Sequence, residues 1–209
     1  IEWLAIEVLG DIDSIISNAS IEEKIKNVFK TEVPIRLKEY TIGSEDFDVY
    51  DELENSDITE ASGLVHSRQN DDIFWTHNDF DESGVANSNT IYAFNQDGLN
   101  IGEWTLTNLP MNQRDWEDIA TDNNGNLYIG EIGDNGRNYG TKFIYKCPEP
   151  DLSNLGSMGI QCTSYEFKYN DTIKHDAETL MVDLNGDIYI ITKHPIGTSG
   201  KSKVFKLGV

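Results

Sequence analysis

The chain has 209 residues, 38% of them hydrophobic and 10% aromatic, enough to build a globular core in one domain or two small ones. Lys and Arg together number 16 against 37 Asp and Glu, a formal charge of −21, which argues against binding nucleic acid or an anionic membrane surface and makes divalent cations the natural partners. No run approaches the eighteen or more apolar residues of a membrane span, so no membrane insertion is expected, and the opening IEWLAIEVLG lacks the basic flank of a signal peptide.

Residues 1–33 read as a short helical leader. Ser20 can cap IEEKIKNVF, in which Ile21, Ile25, Val28 and Phe29 share one helical face and Glu23 sits in the first turn. From IRLKEYTI, residues 35–42, the period changes from helical to alternating, and short strands cut by Asn, Asp and Gly continue through residues 34–209, as in an all-β domain.

Self-similarity then sets the architecture. WEDIATDNNGNLYIG and AETLMVDLNGDIYII superimpose without a gap, matching Glu117 with Glu178, Asp122 with Asp183, Gly125 with Gly186 and Tyr128 with Tyr189. A looser copy, EASGLVHSRQNDDIFWTHND, aligns Glu60 with those glutamates when its turn carries three extra residues. Each unit reads as strand, tight turn, strand, longer loop and strand, often with a fourth, such as NIGEWTLTNL after TIYAFNQDG. These are blades of a β-propeller, with a β-sandwich as the alternative. DNNGN and DLNGD read as hairpin turns. About three four-stranded blades are visible, whereas closure takes at least four and more usually six to eight, so the sequence is expected to be part of a longer protein, with closure by a second chain as the alternative.

Cys147 and Cys162 flank a Pro-, Gly- and Ser-rich segment, CPEPDLSNLGSMGIQC, that reads as a long loop between two strands able to pair. A disulfide is the expected state, with two buried thiols as the alternative. Sequons at Asn18 and Asn170 point the same way, to an extracellular or secretory setting.

On the repeat alignment Glu60, Glu117 and Glu178 lead the innermost strands and converge at the channel mouth. Such carboxylates repel unless a cation or raised pKa values compensate, and a hard divalent ion held by oxygen is the simplest solution. Asn78 with Asp79, and Asp134 with Asn135, end second strands near the blade rim and are candidate further ligands; turn chemistry is the alternative for such pairs. Asp115, Asp176, His77, His175 and Lys193 are possible channel-lining residues, and a channel-facing histidine, His194 included, could serve as a general base. DFDESGVANSNT, residues 79–90, follows the first half of a calcium loop but has Thr90 at the twelfth position, so an acidic surface loop is the better reading. No nucleophile elbow, phosphate-cradling Gly loop, zinc spacing or basic-aromatic patch appears.

EASGL, WTHND, DWEDIA, YIGEIGDN, and DAETL followed by YIITK resemble a group of bacterial-type six-bladed propellers, related more loosely to the gluconolactonase, paraoxonase and β-propeller phytase types; the resemblance covers roughly residues 57–194. It implies a Ca2+ ion in the central tunnel, held by acidic and amide side chains from different blades. Two functions stay open. One is an extracellular calcium-binding module for binding or assembly with other protein chains, which the composition favours; the other is a secreted metal-dependent hydrolase of phosphoesters or lactones.

Overall fold

The structure, a computed structural model, describes residues 52–79, 89–153, 159–193 and 200–208. The expected helical leader, the Asn18 sequon, His194 and most of the 79–90 stretch lie outside the described residues. The chain divides into two compact units, Ile1–Asp48 and Val49–Val209, and every described residue belongs to the second.

Three sheets follow one another along that unit. The first is built from β1 (Ala61–His66), β2 (Ile73–Asn78), β3 (Thr90–Asn95) and β4 (Asn100–Thr107). Next come β5 (Trp116–Thr121), β6 (Asn126–Glu131), β7 (Lys142–Pro148), β8 (Ile160–Gln161) and β9 (Thr163–Phe167). The last sheet holds β10 (Ala177–Val182), β11 (Ile188–Thr192) and β12 (Val204–Lys206). Sheet orders are β1-β2-β3-β4-β8, β5-β6-β7-β9 and β10-β11-β12. All pairings are antiparallel except β4 with β8. The first strand of each sheet lies beside that of the next, β1 against β5 and β5 against β10, which is how consecutive propeller blades pack around their axis.

Turn chemistry makes the hairpins. Asp122 accepts the backbone N–H of Asn124 and of Asn126 on Oδ1, at 2.8 and 3.0 Å, while Gly125 takes a left-handed φ of 76°. Asp183 repeats this with Asn185 and Asp187, at 2.8 and 2.9 Å. Both turns are those expected from DNNGN and DLNGD.

The first strand of every blade carries a bulge at its start. Pairing skips between Ser62 and Leu64, between Trp116 and Asp118, and between Ala177 and Thr179, so Gly63, Glu117 and Glu178 are the unpaired residues. Counted from the bulge, His66 opposite Phe74 matches Ala120 opposite Tyr128 and Met181 opposite Tyr189. The three units therefore align without an insertion. This corrects the expected match of Glu60 with Glu117 and Glu178: Glu60 precedes β1, and Gly63 holds the equivalent place. A Cβ at Gly63 would lie 2.8 Å from Ile119 N and 2.9 Å from Asp118 Cα, with φ at +69°, so the close approach of β1 to β5 leaves no room for a glutamate.

Period-two alternation divides the apolar side chains between two cores. Trp75, Ile91, Trp104 and Leu106 of the first blade bury against Trp116, Leu127, Ile129, Phe143 and Tyr145 of the second. Tyr128 and Ile144 point the other way and join Leu180, Ile188 and Ile190 of the third. Truncating a fully buried aromatic such as Trp75 costs about 3–5 kcal/mol, so these cores are what dock the blades.

Cys147 and Cys162 form the expected disulfide. Both sit in the first core, at the two ends of a strap whose β8 reaches across to β4. No helix among the described residues is long and apolar enough to cross a membrane.

Candidate metal centre

Five carboxylates meet where the three blades adjoin. Asp79 directly follows β2; Asp115 and Asp176 directly precede β5 and β10; Glu117 and Glu178 are the bulged residues of those strands. A bulge turns its side chain out of the regular alternation, which is how a strand otherwise facing blade cores delivers a glutamate to the axis. Asp79, Asp115 and Glu117 bring one oxygen each within 4.8 Å of one another, and Glu117, Asp176 and Glu178 do the same. Ligands held roughly 2.3–2.6 Å from one ion span at most about 5 Å, so each triad has the spacing of a shared oxygen-bound cation.

Glu117 is the least compensated of the five. Glu117 is 7% exposed, and no hydrogen bond or ion pair reaches its carboxylate among the described residues. Burial, followed by the charges of Asp79 and Glu178, pushes its pKa up to about 8. Burial, then Asp79 and Asp176, pushes Asp115 up to about 6. Lys193 pairs with the third blade's carboxylates, its Nζ 2.5 Å from Glu178 Oε1 and 3.9 Å from Asp176 Oδ2, and the Lys142 charge partly offsets the rise at Asp115. An all-oxygen, strongly anionic set with a nearly buried, unpartnered glutamate suits a hard divalent ion such as Ca2+.

Neighbouring residues hold the carboxylates in place. Fully buried Glu131 accepts the backbone N–H groups of Arg114 and Asp115, at 3.0 and 2.9 Å, fixing the turn into β5. The guanidinium of Arg114 donates to the same glutamate and lies 4.3 Å over the Tyr139 ring. Asp118 Oδ2 accepts the Leu180 N–H at 2.6 Å, joining β5 to β10. At Gly133 a Cβ would collide with the Glu117 carboxylate and lie 2.5 Å from Asp115 Cγ, so only glycine leaves space for both.

The remaining candidates are placed differently. Asn78 accepts the N–H groups of Thr59 and Glu60 and donates to Asp57 O, binding the lead-in chain to β2. Asp134 accepts the N–H groups of Asn138 and Tyr139 and pairs with Lys142 at 3.3 Å, shaping its own loop. Its N–H donates to Asp176 Oδ1 at 2.7 Å. Glu60 and Asn135 do not enter either triad; with Asp79, Asp115 and Arg114 they line an adjoining cleft of about 340 Å³. His77 is fully buried, edge-on to Trp116, and burial lowers its pKa to about 4. His175 pairs with Asp171 at 2.9 Å and packs on Tyr169. Neither histidine lines the cleft. Asn170 is exposed in a turn closed by Thr172 N–H on Tyr169 O.

Glu131, Arg114, Lys142 and Gly133 were not singled out from the sequence. Glu131 and Gly133 lie inside YIGEIGDN, but the sequence does not separate a buried glutamate that caps backbone from its exposed neighbours.

No family model matches the chain, and neither does any curated protein. Among solved structures it is similar to selenomethionine-substituted virginiamycin B lyase from Staphylococcus aureus, at 19% identity and TM-score 0.39 over 75% of this chain and 44% of that one. It is also similar to the Dos1 propeller, at 16% identity and TM-score 0.38 over 69% of this chain and 32% of that one. The chain thus spans less than half the length of either.

Proposed function

We propose that this protein is an extracellular β-propeller that binds Ca2+ at the junction of its blades and serves as a binding or assembly module. The observation that carries the reading is the convergence of Asp79, Asp115, Glu117, Asp176 and Glu178 from three blades around a glutamate that is only 7% exposed. Like charges gathered in a partly desolvated place cost stability unless a cation joins them. The buried disulfide fits an oxidising compartment. A six-bladed closed ring is part of the same reading.

A metal-dependent hydrolase is the second reading, favoured by the open cleft beside Asp115 with Arg114 on its wall. A bound metal would there supply Lewis acidity to a phosphoryl or lactone oxygen. The residues of this chain would orient the substrate, through the Arg114 guanidinium and the Asn135 amide.

The test is a melting curve of the chain in chelator and in millimolar Ca2+. The melting temperature should rise with Ca2+, because an ion bound only by the folded state stabilises it by mass action. Superimposable curves would remove the metal site and leave a solvated acidic rim. A screen of phosphoesters and lactones with and without chelator then separates the module from the hydrolase.

A further inference from the structure

The chain contains three Asn-Gly steps, at Asn124, Asn135 and Asn185, and the fold holds them differently. In such a step no Cβ hinders the glycine nitrogen, so it can reach the Asn carboxamide carbon when the peptide between them turns the right way. At Asn185 that nitrogen is engaged: the Gly186 N–H donates to Asp183 O at 3.0 Å, and Asp183 Oδ1 accepts the N–H groups of Asn185 and Asp187. At Asn124 the glycine is pinned, since Gly125 O accepts the Glu149 N–H at 2.9 Å and the Gln69 amide sits where a Cβ would be. Neither restraint exists at Asn135. Asn135 and Gly136 are both exposed, and among the described residues no hydrogen bond reaches the Asn135 carboxamide, the Asn135 carbonyl or the Gly136 N–H.

The free peptide is the central one of a β-turn, Asp134–Arg137. The turn is closed by the Arg137 N–H on Asp134 O at 2.8 Å and anchored by the Asp134 carboxylate, which accepts the N–H groups of Asn138 and Tyr139. Type I and type II turns differ by a flip of the central peptide, which carries ψ of the second residue from about −30° to about +120° while the closing bond stays in place. Glycine in the third place accepts both forms. We propose that Asn135 is a site of spontaneous deamidation, reached through this flip. Gly136 N attacks Asn135 Cγ and a C–N bond forms; the side-chain nitrogen leaves as ammonia, taking the Gly136 amide proton. Water then opens the cyclic imide at either carbonyl, leaving aspartate or isoaspartate at position 135. The chemistry needs no metal ion and stands whether or not the calcium reading does. Because Asn135 lines the cleft with Glu60, Asp115 and Arg114, each event adds a carboxylate to that wall. The isoaspartate form also lengthens the backbone of the turn by a methylene.

Peptide mapping by mass spectrometry tests this on the full chain incubated at mildly alkaline pH, folded and, in parallel, in denaturant. Unfolded, the three Asn-Gly steps should convert at rates within about threefold of one another, since only local sequence then distinguishes them. Folded, Asn135 should convert about tenfold faster than Asn124 or Asn185, the factor that a hydrogen bond to be broken first is worth. Gly136→Ala keeps the native turn, whose φ there is not left-handed, but opposes the flip, and should slow conversion at Asn135 about tenfold. Conversion of Asn124 or Asn185 in the folded chain as fast as that of Asn135 would overturn the proposal. So would an intact Asn135 in the folded chain after the time in which the denatured chain converts. An unchanged rate in Gly136→Ala overturns it as well, because an alanine that reacts like glycine leaves no role for the flip.

Discussion

Glu117 concentrates the physics of the site in one side chain: it is bulged out of β5, nearly buried, and faced by four other carboxylates. Its folded-state pKa of about 8 lies well above the ordinary value of 4.5, and that of Asp115, about 6, above 3.8. A raised carboxyl pKa means that the metal-free folded state holds protons the unfolded chain has released, so the stability these groups contribute is present at low pH and lost as pH rises through 6 and then 8. His77, held near 4 by burial against an ordinary 6.5, acts in the opposite sense up to about pH 6.5, so in chelator the melting temperature should fall between about pH 6.5 and pH 8.5, and Glu117→Gln should flatten that fall. The same substitution should weaken the stabilisation by Ca2+, since it removes a charged ligand and keeps the shape. A native profile that is flat or rising across this range would show that Glu117 is not desolvated as the geometry requires. Gly133→Ala tests the packing around the same group. Its φ is not left-handed, so the cost comes from space alone, about 1–3 kcal/mol for the added methyl, and the Ca2+ response should weaken along with it.

The strap between β7 and β9 is the element that fastens one blade to another by backbone. Cys162 N–H donates to Thr107 O at 3.1 Å, Thr107 Oγ1 to Ile160 O at 3.0 Å, and Asn108 Nδ2 to Cys162 O at 3.0 Å, while the disulfide closes the strap on β7. Closing a loop of this size is worth about 3 kcal/mol in the chain-entropy picture. The double substitution Cys147→Ala, Cys162→Ala should cost about that much in denaturant unfolding and speed hydrogen exchange at position 162. Exchange that stays slow would mean β8 is held by its hydrogen bonds without the covalent tie. The disulfide was legible because the two cysteines flank a turn-rich segment between alternating strands. The parallel pairing of β8 with β4 was not, because a two-residue strand has no period and its partner lies far along the chain. The repeat was legible through Asp122, Gly125 and Tyr128 and their matches at Asp183, Gly186 and Tyr189, which do the same jobs in both hairpins. Its first copy was misplaced by three residues because β1 has glycine at the bulge, and identity matching slid to the nearest glutamate.

Across the whole described unit, the site exists only because blades dock. Its ligands come from three sheets, and those sheets meet through two cores set on opposite faces of the central blade, one with Trp75 and Trp104, the other with Leu180, Ile188 and Ile190. Each blade touches only its neighbours, so stability is a sum of blade and interface contributions, and the outermost faces carry exposed apolar side chains such as Leu64 and Val204. An ion held by carboxylates of all three blades, Asp176 and Glu178 included, would favour the docked arrangement, and by linkage weaker docking of the third blade would weaken the ion. Leu180→Ala separates this coupling from direct ligation, because Leu180 contributes to the second core and its side chain is not among the carboxylate ligands. The substitution should cost about 2–4 kcal/mol of stability by leaving a cavity between the second and third blades. It should also reduce Ca2+ affinity, where Leu64→Ser on the outermost face, 60% exposed, should leave affinity unchanged. Calorimetric affinities measured below the melting transition of each variant decide the matter. If Leu180→Ala binds Ca2+ as tightly as the native chain, the ion is held within the junction of the first two blades and the third blade adds nothing to it.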